Sequence, residues 1–561
     1  MLAMLLASPV MGCRRGSPTI ASPVEAPPPD LDGTAATLIV RGGELLTLDP
    51  GRPRATAVAI TNGIIVAVGD DATVEPLRGP STVVLDAGGG TVTPGLVDAH
   101  AHLVGLGESL STVDLRGAAS IDEVVQRLRE GAPAEGWIIG RGWDQNLWPE
   151  AAMPTHHPLT QAFPDRPVWL RRVDGHAAWG NAALLRQAAI GRDTKAPEGG
   201  EILREADRTP TGVLVDAAME LVEVPPSTEA DVRRHIEAAQ QHILERGLTG
   251  VHDMGIGPTA DAVYRRLAGD PAGLRIRVHA YAAEPWFVRD LQEHAPDPVL
   301  AGSHYALAGV KIYADGALGS RGAALLQPYA DRPDHRGLMQ HDEAALREVV
   351  DAALRGGWQV ATHAIGDAAN RSVLDAYARG LENAARRDPR PRIEHCQILD
   401  PQDIPRFAEL GVIASMQPTH ATSDMPWVPD RLGPDRLAGA YAWASLLEAG
   451  AHLCFGSDFP VELPDVTHGL YAAITRSDPK GQPPGGWLPE QTVDLEQAIR
   501  SFSTEAAYAA HRETELGSIT EGKRADLTCF GRVLDPKDPA RIRDAPVLGT
   551  IVEGRPHHWA G

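Results

Sequence analysis

Short apolar runs broken by turn residues open the readable part of the chain. Leu38-Ile39-Val40, Leu45-Leu46-Thr47-Leu48, Ala57-Val58-Ala59-Ile60 and Ile64-Ile65-Val66-Ala67-Val68 are each of strand length, and glycine or asparagine separates them. Asn62-Gly63 between two such runs is a hairpin signal, because the tight turn that matches strand twist needs positive φ at both central residues. Val83-Val84-Leu85 continues the pattern. Leu527-Thr528-Cys529-Phe530 and Val547 to Val552 repeat it at the far end. Both ends therefore read as β, and the expectation is one small antiparallel sheet domain from residues 36–92 and 513–561.

The middle, residues 93–512, has another rhythm. Candidate strands are Leu96-Val97-Asp98, Gly250-Val251-His252-Asp253, Ile276 to Tyr281, Val310-Lys311-Ile312-Tyr313, Gln359 to His363, Arg392-Ile393-Glu394-His395, Val412 to Met416 and Leu453-Cys454-Phe455. Amphipathic stretches such as Glu343 to Leu354, Ala368 to Glu382 and Pro405 to Leu410 lie between them. Eight strands joined by helical crossovers predict a parallel barrel. About 145 residues separate the first two strands, far more than a strand-to-helix connection needs, so an insertion spans about 105–245. It carries Trp137, Trp143, Trp148, Trp169 and Trp179. These fill the insert's own core, or one or two line an apolar substrate pocket.

Composition narrows the function classes. A formal net charge of −22 repels phosphate backbones, which excludes nucleic acid as a partner. Four scattered cysteines, Cys13, Cys396, Cys454 and Cys529, make neither a disulfide framework nor a thiolate zinc site. No run of about 18 apolar residues is present. Residues 1–35 read as a signal or tether: an apolar Met1 to Met11, then Gly12-Cys13, then a Pro/Ser/Ala-rich stretch from Ser17 to Asp32. A small residue before cysteine suits a lipid anchor at Cys13, while the missing basic n-region suits a cytosolic tail. Both readings stand.

The candidate chemistry sits at strand ends. His100 and His102 are two apart in Asp98-Ala99-His100-Ala101-His102, so an extended strand turns both imidazoles to one side. Histidine pairs arise readily by chance among 21 histidines. The position after an apolar strand makes this one a metal-ligand candidate. Lys311, His363, His395 and Asp458 each lie in or just after a different candidate strand, and barrel strand ends converge on one mouth. Imidazole and carboxylate suit zinc, and also manganese, iron or nickel.

These motifs resemble the amidohydrolase superfamily: Pro94 to His102, Gly456-Ser457-Asp458, and the tail Gly517 to Leu527. Lys311 to Arg321 and Asp174 to Asn181 are similar to its third subgroup, which includes N-substituted formamide deformylase-like proteins. The resemblance implies an α/β fold: a distorted (β/α)8 TIM barrel, a composite β-sandwich from both termini, and a large insertion after the first barrel strand.

It also implies residue roles. His100, His102 and Asp458 would hold one metal, and His363 and His395 a second. Lys311 would be carboxylated by carbon dioxide and bridge both, since an ammonium has no lone pair to offer and a carbamate does. Asp458 would also move the proton of the attacking water. His176 would contact substrate from the insert, or else cap the following helix. His252, Asp253 and Asp315 would orient ligands or serve structure, and Arg321 would bind substrate or a nearby Asp. The implied activity is hydrolysis of a non-peptide C–N bond in a small amide or formamide, in a chain compatible with a homodimer. A mononuclear deaminase on the same scaffold and a non-catalytic envelope-binding protein are the rivals.

Overall fold

The computed structural model describes residues 35–560 except Asp174, His176, Glu198, Gly199 and Pro226. Cys13 and the tether, and His176 of the insert, thus lie outside the described residues.

Eight parallel strands form the centre: β1 (Leu96–Ala101), β2 (Leu248–Ile256), β3 (Arg277–Ala283), β4 (Tyr305–Tyr313), β5 (Gln359–Ala364), β6 (Arg392–His395), β7 (Ile413–Met416) and β8 (Leu453–Phe455). They pair in chain order. Each candidate strand of the middle region falls on one of them. Their residues are buried almost throughout, as strands covered on both faces require. Helices Glu343–Arg355, Asp367–Gly380 and Ile404–Leu410 lie between successive strands. Asp342 caps the first by accepting from the amides of Ala344 and Ala345.

The ring is nearly closed. No ladder joins β8 to β1 among the described residues. The segment after β8 spans the gap instead: the Asp458 amide donates to the His100 carbonyl at 2.8 Å. The Ser457 amide and hydroxyl both donate to the Asp98 carboxylate, the hydroxyl at 2.6 Å.

The two chain ends share one mixed eight-stranded sheet, and its seam pairs Thr91–Pro94 antiparallel with Leu527–Phe530. Two details differ from the expected antiparallel meander. Leu38 to Leu46 is one strand, Ala36–Leu46, because Gly42 at φ 74° makes a bulge there and not a turn. That strand also runs parallel to Arg78–Asp86, since the helical turns between Asp71 and Leu77 carry the chain back over the sheet. Asn62 and Gly63, both at positive φ, do form the hairpin. Arg277 of β3 binds this sheet to the barrel bottom, reaching Asp526 at 2.6 and 3.0 Å.

Between β1 and β2, a six-stranded sheet is built from strands between Val113 and Asp216. Helices Leu103–Ser111 and Glu229–Leu244 flank it and pack on the barrel. They approach so closely at Gly107 that a Cβ there would lie 2.0 Å from the His235 carbonyl oxygen. Trp143, Trp148 and Trp179 pack on one another inside the insert, with Trp169 and Trp137 in a neighbouring cluster. None of the five lines the cavity over the barrel, because the insert needs them to fill its own core. No described helix is long and apolar enough to cross a membrane. Cys396, Cys454 and Cys529 are free and buried.

Candidate metal centre

The C-terminal ends of the barrel strands open into one cavity of about 690 Å³. His100 and His102 enter from the end of β1, Lys311 from β4, His363 from β5, His395 from β6 and Asp458 from the loop after β8. Six residues scattered from position 100 to 458 thus share one chamber. Arg172 is the described insert residue that reaches it, held by Gln145 Oε1 at 2.8 Å and Asp144 Oδ1 at 2.9 Å.

The backbone is bent to aim two of these side chains. His395 has φ 77° and Asp458 φ 59°, the left-handed region that non-glycine residues rarely enter. Along a regular strand Glu394 and His395 would face opposite sides. The left-handed turn at His395 lets both serve the interior: Glu394 reaches His100, and the His395 ring lies 4.7 Å from the His100 ring.

Three of the four rings are oriented from behind. His100 Nδ1 lies 2.6 Å from Glu394 Oε2, His102 Nδ1 lies 2.9 Å from the Met254 carbonyl oxygen, and His395 Nδ1 lies 2.8 Å from Gln417 Oε1. All three partners are acceptors, so each Nδ1 carries the proton and each Nε2 presents a lone pair. Those lone pairs meet another acceptor. Asp458 Oδ1 stands 3.1 Å from His102 Nε2 and 3.5 Å from His100 Nε2. Asp458 Oδ1 and His363 Nε2 are buried with no hydrogen-bond partner. Acceptors converging without a proton between them are the donor set of a cation, and His100, His395 and Asp458 bring ligand atoms within 4.8 Å of one another. The residues present therefore fit a divalent metal.

Burial, and then the Lys311 charge, hold His363 down at about 3 and His100 at about 4, so both are neutral as ligands must be. Burial opposes ionisation of Asp458, but positive charge on His100 and His102 outweighs it and holds the carboxyl well below its usual range, and Asp458 in turn raises His102 against that ring's own burial, so protons and a cation compete for the same place. Lys311 is buried, and burial lowers it to about 8. No carboxylate among the described residues lies within ion-pairing distance of its Nζ, which sits 4.7 Å from the Tyr313 ring centre.

The other singled-out residues divide. Asp253 accepts from the Leu103 amide and the Tyr264 hydroxyl, fixing the chain just past His102. His252 takes Arg392 Nη1 at 2.6 Å. Asp315 accepts three backbone amides, from Ala324, Ile365 and Gly366, and so ties the loop after β4 to that after β5. Arg321 pairs with Asp331 at 2.7 Å. Sequence reasoning missed Glu394, Arg392, Gln417 and His420. Arg392 and Glu394 did carry a signal, two opposite charges two apart on one side of a strand, with Ile393 between them.

The amidohydrolase family profile matches residues 83–558. The chain belongs to the amidohydrolase family. It is 36% identical to Protein LONG AFTER FAR-RED 3 of Arabidopsis thaliana, over 93% of this chain and 92% of that one. It is 29% identical to N-substituted formamide deformylase of Arthrobacter pascens, over 92% of this chain and 97% of that one. Among solved structures, an uncharacterized metal-dependent hydrolase from Pyrococcus horikoshii OT3 superposes with a TM-score of 0.75 at 27% identity, covering 93% of this chain and 100% of that one. This member of the family is a hydrolase acting on carbon–nitrogen bonds, with a His/Asp site suited to a metal.

Proposed function

We propose that the cavity hydrolyses the C–N bond of an N-substituted amide or formamide. The observation that carries this reading is the convergence of proton-free imidazole nitrogens on the Asp458 carboxylate. His100, His102 and Asp458 would hold one divalent ion and His363 with His395 a second, zinc first, with manganese, iron and nickel compatible. Bound metal would supply Lewis acidity, lowering the pKa of a water and polarising the substrate carbonyl. Asp458 accepts the proton of the attacking water and returns it to the departing nitrogen. Glu394, Gln417 and the Met254 carbonyl hold the imidazoles in the lone-pair-inward tautomer. Lys311, buried without a carboxylate partner, suits carboxylation: Nζ bonds to carbon dioxide, releases a proton and becomes an anion that can bridge. His176 is assigned to substrate contact from the insert. The mixed terminal sheet is read as the family's composite sandwich, which supports the barrel and adds nothing to the chemistry.

A single-ion aminohydrolase is the second reading, favoured by the tight trio of His100, His395 and Asp458. Metal analysis of protein reconstituted with zinc, manganese, iron or nickel separates the two, with two ions per chain expected. Amine release is then measured with N-aryl formamides, N-alkyl amides, carbamates and cyclic imides. Failure to take up any metal, or amine release from none of these classes, would overturn the proposal.

A further inference from the structure

His420 lies in the helix Pro418–Asp424 that follows β7, and its side chain lines the same cavity. Its ring is nearly parallel to that of His395, with 17° between planes and 6.0 Å between centres. It resembles a further metal ligand. What stands behind it says otherwise.

The three imidazoles His100, His102 and His395 each have an acceptor at Nδ1. His420 has a donor there: Gln397 Nε2 lies 3.4 Å from His420 Nδ1. An imidazole nitrogen facing an amide N–H must offer its lone pair, so in the neutral ring the proton goes to the other nitrogen. His420 Nε2 is therefore an N–H. It is buried, without a hydrogen-bond partner, and 3.8 Å from Asp458 Oδ2, too far for a hydrogen bond. An unspent donor beside the group that handles the water's proton faces the place where a substrate oxygen develops charge.

We propose that His420 is a catalytic hydrogen-bond donor to the substrate oxygen, set in its donor tautomer by Gln397, and is not a metal ligand. The inference rests on the hydrolase reading above and adds to it. The site recognises a substrate with an acceptor oxygen next to the scissile carbon, as acyl and formyl compounds have. Two parallel imidazoles in one cavity thus have opposite polarity, His395 presenting a lone pair and His420 a proton, because Gln417 turns its oxygen, and Gln397 its nitrogen, to the ring it supports.

The test has two arms. Nitrogen NMR of protein with isotope-labelled histidine, with His420→Gln to identify the ring, reads the tautomer without metal or substrate. A protonated Nε2 is expected, and a protonated Nδ1 overturns the proposal. In the second arm, metal-loaded wild type, His420→Ala and His420→Gln are compared for metal content and for affinity toward acetohydroxamate, a probe bearing a carbonyl oxygen. His420→Ala should keep the wild-type metal content and bind the probe about tenfold more weakly, the scale of one hydrogen bond. His420→Gln, whose amide N–H reaches the same region, should fall between. On any substrate the wild type accepts, kcat should drop about a hundredfold or more in His420→Ala. Loss of metal from His420→Ala, or unchanged probe affinity, overturns the proposal. Should the wild type itself take up no metal, the hydrolase reading fails, and the nitrogen spectrum still decides the tautomer.

Discussion

Glu394 Oε2 lies 2.6 Å from His100 Nδ1 with both side chains fully buried. Arg392 holds the same carboxylate through Nε at 2.8 Å and Nη2 at 3.0 Å, and donates also to the Ala99 carbonyl and the Ser415 hydroxyl. A ligand's proton, its carboxylate and a counter-cation thus form one buried chain from the β1 end to β6. Glu394→Gln keeps the size but removes the anion. Metal affinity should fall about 10- to 100-fold, as the loss of such orienting partners does elsewhere. Fold stability should also drop, since Arg392 is left buried without its counterion. Titration with a competing chelator and urea unfolding measure the two, and unchanged metal affinity would disprove the orienting role.

The Arg277–Asp526 pair joins β3 to the terminal sheet. Burial alone would raise the Asp526 carboxyl, but Arg277 holds it below the usual range. Its stabilising contribution is therefore present above the unfolded carboxyl value of about 3.9 and is lost as pH falls through the lower folded value. Asp526→Asn at neutral pH should destabilise by about 3–5 kcal/mol, because it leaves a buried guanidinium unpaired. A shifted urea midpoint with an unchanged slope is the expected result.

The barrel was legible because strands buried on both faces are apolar over most of their length, as β7 and β8 are. The residues that share the cavity were legible because each is a polar side chain in or just after a strand otherwise read as barrel wall: His100, Lys311, His363, His395, Asp458. What lies behind them was not. Gln417 and the Met254 carbonyl become partners only when the ring brings β6 beside β7 and β1 beside β2, and a carbonyl leaves no mark in a sequence. Gly42 read as a turn since glycine permits positive φ both in turns and in bulges. The insert's tryptophans were ambiguous for a similar reason: a small sheet needs large side chains for its own core, and composition does not say which side of it they face.

His279 offers a pH test away from the metal centre. Burial, with the charge of His511 second, lowers it to about 3, and its Nε2 donates to Gln359 Oε1 at 3.3 Å. A histidine whose folded value is below its unfolded one contributes stability that is complete above about 6.5 and is lost as pH falls from there towards about 3. The loss approaches about 1.4 kcal/mol per pH unit. In metal-free protein, where the ligand histidines titrate alike in both forms, His279→Gln should unfold with a shallower dependence of Tm on pH between about 6.5 and 4. Parallel Tm curves would show that His279 does not enter the fold uncharged.

Lys311 gives the sharpest test of the two-ion reading. Without it, His363 and His395 are the protein donors left to the second ion, and two cations about 3.5–4 Å apart need an anion between them. An ammonium cannot be that anion, and the buried Nζ has no carboxylate within ion-pairing distance among the described residues to explain it as an ordinary ion pair. Lys311→Ala should fold, bind one ion in place of two and lose activity by about a thousandfold or more, equivalent to about 4 kcal/mol of barrier. Short carboxylic acids should restore part of both metal binding and turnover by occupying the bridge. Wild-type protein incubated with isotope-labelled bicarbonate should give one carbamate carbon resonance, absent in Lys311→Ala. Two tightly held ions and near-normal turnover in Lys311→Ala would remove the carbamate from the site and leave the single-ion aminohydrolase as the better reading.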